Sequence, residues 1–220
     1  IRVLLHCLAN ERTFNPYYVL VGQQLADDHV GMRVTMQYVL WDYFRELGEK
    51  HVGGHKVVRE DEEGEEYDVH VGERLRKLLH LARAYGYWIA RGALTLLVLK
   101  TVDFTALHEA GTLFLQHLLL HTFLMSQTRL PMLTPRARQN LLRAPSQVDR
   151  ERIEQLLVRG TVGQPRLAQG LFVFCHMHLQ RETLATLLGD VAIVRRLEWT
   201  VNVARDTLSV GAASADASDA

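Results

Sequence analysis

Apolar residues recur at helical spacing through residues 12–47, and a short polar interruption divides the segment. Asn15 and Pro16 mark a helix start, because Asn caps free N–H groups and Pro lacks the N–H that the first helical position leaves unpaired. Asp27 and Asp28 then interrupt the apolar spacing before it resumes. The pattern predicts two amphipathic helices joined by a tight polar turn.

The rest of the chain is also predicted to be helical. Residues 73–91 have one apolar side, and residues 93–102 are apolar on nearly all sides, which predicts a central helix. Further helices are expected at 106–127, at 136–143, from Ser146 with Asp149 in the capping-box position, at 165–181 and at 184–208. No segment alternates like a β-strand, so we predict an all-α protein.

Two segments break the helical order. Glycines surround an acidic run at 60–66, and residues 48–72 are predicted to form a largely disordered acidic insertion. Its interpretation stays open between a solvated loop and an acidic arm that docks on a basic partner. Residues 209–220 are small or polar, and a disordered tail is expected there.

Composition restricts the possible partners only weakly. The chain has 220 residues, 48% of them hydrophobic, which is enough for a sizeable core. Lys plus Arg equals Asp plus Glu at 25 each, so any argument from charge must be local. The longest leucine-rich stretch contains Gln116, His117 and His121 and is too short for a membrane span. No membrane contact is expected.

The strongest local charge excess lies in residues 129–166. Eight arginines stand there against three acidic residues, at positions Arg129, Arg136, Arg138, Arg143, Arg150, Arg152, Arg159 and Arg166. All but Arg166 are our candidate contacts. Guanidinium groups bind phosphate and carboxylate equally well, so the partner is RNA backbone or an acidic protein surface. A solvated helical face is the competing interpretation. Aromatic residues for base stacking are absent from this segment.

Aromatic residues give a second candidate surface. Tyr38, Trp41 and Phe44 share one side of a predicted helix, as core residues do. Tyr17 and Tyr43 fall off that side and are the expected surface contacts. The candidate partner surface combines these two tyrosines with three cations of the following helix, Arg74, Arg76 and Lys77.

Candidate catalytic motifs are incomplete. His117 and His121 lie four residues apart, but Leu118 occupies the position where a HExxH metalloprotease motif has Glu. No nucleophile elbow and no glycine-rich phosphate loop are present. We therefore predict no enzyme, no catalytic or metal-binding residues, no cofactor and no small-molecule substrate. A helical metal-dependent hydrolase remains a remote alternative, which would need metal at the two histidines.

Three segments carry a family resemblance: TFNPYY, MQYVLWDYFREL and ALTLLVLKTVDFTAL. They resemble the C-terminal MA-3-type helical domain of the nucleolar MIF4G-domain proteins, which are ribosome-biogenesis factors also described as suppressors of glycerol defect. The matching positions are Asn15, Pro16, Tyr17, Tyr18, Tyr38, Trp41, Asp42, Phe44, Leu99, Lys100, Val102 and Phe104. The resemblance runs from residue 1 to about 124, apart from the insertion, and returns faintly from Leu167.

The resemblance implies an architecture and a cellular role. The expected fold is a HEAT-like stack of antiparallel helix pairs whose first helix is missing here. The MA-3-type domain would cover 1–128 with the insertion at about 48–72, and a helical extension would cover 129–208.

The implied function is that of a scaffold in the nucleolus. It would act in small-subunit (40S) biogenesis and pre-rRNA processing, by anchoring the factor to preribosomal proteins or pre-rRNA. A DEAD-box helicase of the initiation-factor-4A type would be reached through the wider protein, since the family's helicase contact is assigned to a MIF4G-type domain that this chain lacks. Direct binding and regulation of that helicase is the alternative.

Overall fold

The computed structural model describes residues 1–54, 71–128 and 149–216. These residues form α-helices joined by short turns, with no β-strand among them, which confirms the all-α prediction. The packed helix pairs fit a HEAT-like stack. The helices are α1 (Arg2–Asn10), α2 (Pro16–Asp28), α3 (Val30–Glu46), α4 (Val71–Ala90), α5 (Glu109–Ser126), α6 (Arg150–Thr161), α7 (Pro165–His178), α8 (Arg181–Leu188) and α9 (Val191–Asp216).

The start of α2 agrees with its sequence. The Asn15 side chain accepts a hydrogen bond from the backbone N–H of Tyr17 at 3.1 Å, and Pro16 opens the helix. Both features were predicted from the preference of these residues for helix starts. They orient α2 so that Val19 and Ala26 face the core.

Helix α4 connects the other helices of the first half through polar side chains in its buried face. His80 Nδ1 lies 3.0 Å from the carbonyl oxygen of Leu8 in α1. The Tyr85 hydroxyl donates to the Met36 carbonyl in α3 at 2.9 Å, and Trp88 Nε1 donates to the Val19 carbonyl in α2 at 2.9 Å. Because each buried polar atom has a fixed partner, these bonds set the rotation of α4 against three neighbours.

A glycine lets α4 and α5 approach closely. A Cβ atom at Gly86 would stand 2.8 Å from the Leu118 carbonyl oxygen and 3.0 Å from the Thr122 nitrogen, both in the backbone of α5. Backbone atoms inside a helix cannot move aside as a flexible side chain can. The packing of these two helices therefore depends on the missing side chain at position 86.

The prediction of a central helix at 93–102 is wrong. Gly92, with φ of 81°, ends α4, and only Leu96–Leu99 winds into a short 3-10 turn. The segment is nevertheless buried, as its composition indicated, with Leu96 and Leu99 fully enclosed. Its β-branched residues, among them Thr95 and Val98, are poor helix formers and lower the preference for a regular helix there.

The core-facing side of α3 also differs from the prediction. Tyr38 was expected in the core but is 51% exposed, whereas Tyr43, expected on the surface, is only 6% exposed. The buried face is centred on Met36 and Leu40. Tyr43 follows Met36 by seven residues, about two full turns, so it faces the same way, while Tyr38 lies about 200° from Met36. Trp41 is buried at 8% exposure, as expected.

Residues 48–54 were predicted to belong to a disordered insertion, but they are packed. Glu49 is buried, and its Oε1 accepts a hydrogen bond from the backbone N–H of His108 at 2.8 Å. Val52 is buried as well, and its carbonyl accepts a bond from Arg45. Residues 55–70, which contain the acidic run, lie outside the described residues.

The second half is attached at the end of α5. Gln127 donates to the Asp149 carbonyl at 3.2 Å and accepts from the Asp149 N–H at 2.7 Å. Asp149 in turn caps α6 by accepting from the Arg152 N–H at 3.2 Å. Helix α6 thus begins at Arg150 with Asp149 as its N-cap. The predicted start at Ser146 and the predicted helix at 136–143 lie outside the described residues.

Helices α7 and α9 complete the second half. Arg205 of α9 donates to the carbonyl oxygens of Cys175 and Leu179 at 2.8 and 3.3 Å, which satisfies acceptors at the end of α7. The predicted single helix at 184–208 is divided at Gly189, whose φ of 66° favours glycine. Its second part, α9, continues to Asp216, beyond the predicted end.

Replacing Gly86 with Ala should destabilise the fold by about 1 to 3 kcal/mol, the usual cost of overpacking a core. Chemical denaturation of the variant measures this loss. Gly72→Ala is the matched control, since its Cβ would meet nothing within 4 Å. If Gly86→Ala is as stable as the parent, the helices do not approach as closely as described.

Replacing Trp41 with Ala should lower the free energy of unfolding by about 3 to 5 kcal/mol, because a large buried aromatic is removed. The variant also loses the 2.7 Å bond from Trp41 Nε1 to the Val98 carbonyl. Tyr38→Ala, which removes an exposed ring packed edge-on against Trp41 at 5.4 Å, should cost at most about 1.5 kcal/mol. Equal losses in the two variants would contradict the assignment of Trp41 to the core.

Candidate interaction surface

Helix α6 carries three of the predicted contact arginines, and the structure separates them. Arg150 lies on one side, pairs with Glu154 at 2.6 Å and borders a groove against α9. Arg152 and Arg159 line a different cleft. Seven residues separate these two, which is about two helical turns, so both point to the same side of α6.

Close packing against the 3-10 turn fixes this side of α6. A Cβ atom at Gly160 would stand 2.7 Å from Cβ of Leu96, so the helix backbone rests directly on the buried turn. Ile153 and Leu157 are buried in the same core. Arg152 and Arg159 consequently face the end of α4 across the 3-10 turn.

Arg91 joins these residues from the end of α4. The cleft has a volume of about 430 Å³ and is hereafter called the arginine cleft. Its lining is Ile89, Ala90, Arg91, Gly92, Leu94, Thr95, Leu96, Ser126, Arg152, Gln155, Leu156 and Arg159. None of the described residues in this lining carries a carboxylate. Such a concentration of guanidinium groups attracts anions.

The three arginine side chains differ in the contacts that fix their positions. Arg152 Nε lies 2.8 Å from Asp149 Oδ2, and the Arg91 guanidinium lies 5.5 Å from the centre of the Tyr87 ring. Arg159 is exposed, and no carboxylate in the described part of the chain pairs with it. Arg91 was missed by the sequence analysis because it lies far from the arginine-rich segment. The one signal in the sequence that could have singled out Arg91 is its position directly before the helix-ending Gly92, where a cation at the C-terminal end of a helix is favoured.

Four other predicted contacts, Arg129, Arg136, Arg138 and Arg143, lie outside the described residues. Arg166 is exposed on α7 and does not line the arginine cleft.

The predicted partner surface around α4 is only partly assembled. Tyr17 is 65% exposed and Arg74 is exposed, but neither lines any of the three described clefts. Arg76 pairs with Glu73 at 3.6 Å. Lys77 pairs with Glu46 at 2.8 Å and lies 5.2 Å from the centre of the Tyr43 ring.

Tyr43 therefore cannot serve as the surface contact that we predicted. Burial raises the pKa of its phenol far above the usual value, with a smaller contribution from Glu46. Tyr43 and Lys77 border a cleft of about 710 Å³ that also has Arg2, Asp42 and Glu46 in its lining. Its charges are mixed, and ion pairs across it already join Arg2 to Asp42.

The His117–His121 pair lies within α5 with its rings stacked at 6.4 Å. Burial lowers the pKa of His121 to about 3, with Arg83 and His117 adding to the effect. Burial also lowers the pKa of His117. Among the described residues, no group of three or more His, Cys, Asp or Glu side chains is placed to hold a metal ion.

The same described helices include none that combines the length and apolar character needed to cross a bilayer.

Comparison with known proteins gives three relatives, each over about half of this chain. Suppressor of glycerol defect protein 1 of Schizosaccharomyces pombe is 31% identical over 113 residues, which is 51% of this chain and 13% of that protein. Nucleolar MIF4G domain-containing protein 1 is 27% identical over 128 residues in Mus musculus, 58% of this chain and 12% of that protein. The Homo sapiens protein of the same name is 25% identical over 119 residues, which is 54% of this chain and 11% of that protein.

About half of this chain is homologous to nucleolar MIF4G-domain proteins. This confirms the family resemblance inferred from the sequence motifs. No protein-family model and no solved structure matches the chain. The chain spans only about an eighth of the length of its nucleolar MIF4G relatives.

The histidine pair predicts a pH dependence that differs from one caused by surface groups. In the unfolded chain His121 has the ordinary histidine pKa of 6.5, so it binds a proton below that pH. In the folded chain burial lowers the pKa to about 3, so the proton binds only near that pH. Stability is therefore lost as pH falls through this range. His121 lowers the free energy of unfolding by at most about 1.4 kcal/mol for each pH unit in this range.

His121→Leu should flatten this dependence when unfolding free energies are measured by denaturation from pH 7 to pH 5. The exposed His6 offers a matched control variant, His6→Leu, for the loss of an imidazole from the surface. An unchanged slope in His121→Leu would show that this imidazole is accessible to protons in the folded state.

Proposed function

We propose that this chain is a non-catalytic helical interaction module of a nucleolar factor that acts in small-subunit ribosome biogenesis and pre-rRNA processing. The observation that carries the proposal is the homology of about half the chain to proteins named as nucleolar MIF4G-domain proteins. The module would anchor its protein to preribosomal proteins or pre-rRNA. Its domains would be an MA-3-type unit at 1–128 and a helical extension at 129–208.

The described surface supports binding rather than catalysis. The two histidines proposed as possible metal ligands lie in a packed helix, and among the described residues no group of three or more His, Cys, Asp or Glu side chains is placed to hold a metal ion. The arginine cleft concentrates three guanidinium groups, and none of the described residues in its lining carries a carboxylate, although Asp149 pairs with Arg152 from outside the lining. Cationic surfaces of this kind bind polyanions or acidic proteins.

The proposal is tested by expressing the chain with a fluorescent tag in cells and fractionating the lysate on a sucrose gradient. We expect nucleolar accumulation and co-sedimentation with small-subunit precursors, with crosslinks to preribosomal protein or pre-rRNA. A destabilised variant such as Trp41→Ala controls for folding.

Two outcomes would contradict the proposal. Nucleoplasmic distribution with stoichiometric capture of a DEAD-box helicase by the purified chain would favour the alternative, direct binding and regulation of that helicase. Zinc that remains bound in stoichiometric amount through purification, and is lost in His117→Ala, would favour the metal-dependent hydrolase.

A further inference from the structure

We propose that the arginine cleft binds the phosphate backbone of RNA. This inference rests on the proposed function, since it names the partner of one surface of the proposed module. The cleft is formed where the two halves of the chain meet. Arg91 directly follows the end of α4, and Arg152 and Arg159 come from α6.

Charge distinguishes this cleft from the other two described ones. The cleft beside α1 combines the carboxylates of Asp42 and Glu46 with four cations, Arg2, Arg45, Lys50 and Lys77. The groove against α9 combines Arg150 with Glu154 and Asp206. In both, carboxylates compete with an incoming anion. Among the described residues, the lining of the arginine cleft holds three arginines and no acidic residue, although Asp149 pairs with Arg152 from outside the lining. The exposed Arg159 therefore makes this cleft the most favourable of the three for an anion.

The spacing of the charges suits an extended polyanion. Arg152 and Arg159 are separated by about 10 Å along α6, at 1.5 Å of rise per residue. Two guanidinium groups at this separation reach different phosphate groups of one strand rather than a single small anion. Asp149 engages Nε of Arg152, and the terminal nitrogens of that guanidinium retain donors for phosphate oxygens.

The cleft surface favours RNA over an acidic protein. Protein interfaces are built around exposed apolar or aromatic anchors. The described residues of the lining include no aromatic residue. Three of its apolar members, Ile89, Leu94 and Leu96, are buried in the fold, and the other two, Ala90 and Leu156, are half-buried. The exposed side chains of the lining, Thr95, Gln155 and Arg159, are polar or cationic, and the Thr95 side chain does not cap the 3-10 turn. Without aromatic rings for stacking, binding should depend little on base sequence.

The test uses the whole chain and a short fluorescent single-stranded RNA of mixed sequence, with affinity measured by anisotropy at several salt concentrations. Arg159→Glu should weaken binding about tenfold near physiological salt and reduce the salt slope by about 0.7, as expected for one lost phosphate contact on a single strand. Arg159→Gln should weaken binding less. Because Arg159 is exposed, both variants should melt like the parent.

Arg166→Glu is the matched control, with the same change of charge on an exposed residue outside the cleft. It should keep most of the affinity. Equal losses in Arg159→Glu and Arg166→Glu would overturn the inference, because binding would then follow net charge alone. The inference would also be overturned if the parent did not bind RNA. It would equally be overturned if the parent bound a polyglutamate peptide but not RNA, and Arg159→Glu lost that peptide.

Failure here is distinguishable from failure of the proposed function. If Arg159→Glu binds RNA normally while the tagged chain still co-sediments with small-subunit precursors, the cleft assignment is wrong and the module is retained. If RNA binding depends on Arg159 but the chain does not associate with those precursors, the cleft assignment holds and the nucleolar role is wrong.

Discussion

The contacts of α4 with its neighbours are the constraint on which the rest of the structure depends. One helix reaches α1, α2 and α3 through His80, Trp88 and Tyr85, and each of these side chains bonds to a backbone carbonyl. On another side, Gly86 brings α5 to backbone contact. A hydrogen bond to a carbonyl specifies position more narrowly than apolar contact does, since only one arrangement leaves no buried polar atom unpaired. The orientation of α4 therefore determines where its last turn, and with it Arg91, is placed.

That placement connects the core to the candidate binding surface. Gly92 ends α4, and the chain turns into the buried segment at Leu96–Leu99, on which α6 rests at Gly160. Arg152 and Arg159 thereby face Arg91. The bonds between Gln127 and Asp149 fix the start of α6 to the end of α5. The arginine cleft is a product of packing between the halves, and a chain whose second half came loose would lose it.

Sequence patterns predicted the helical class, the start of α2 and the burial of Trp41, because caps and apolar periodicity are local properties. They failed where the outcome depended on a partner helix. The burial of Tyr38 and Tyr43 is the reverse of the prediction, because the packed face of α3 is centred on Met36 and Leu40 rather than on the stripe of large aromatic residues. Glu49 was assigned to a disordered insertion, since its bond to the distant His108 leaves no local trace. Arg91 was missed for the same reason, as it meets α6 only in the folded chain.

Hydrogen exchange followed by mass spectrometry tests most directly whether α4 and α5 hold the fold together. Their central amides, around Tyr85 and Leu118, should exchange slowest and only through global unfolding, and α6 should share much of that protection because it packs on the same core. Faster exchange at the exposed first turn of α3, at Val30, supplies the internal reference. If the amides around Gly86 exchange as fast as those at Val30, or if α6 exchanges freely while α4 is protected, the account of a single core with an interhelical arginine cleft is contradicted.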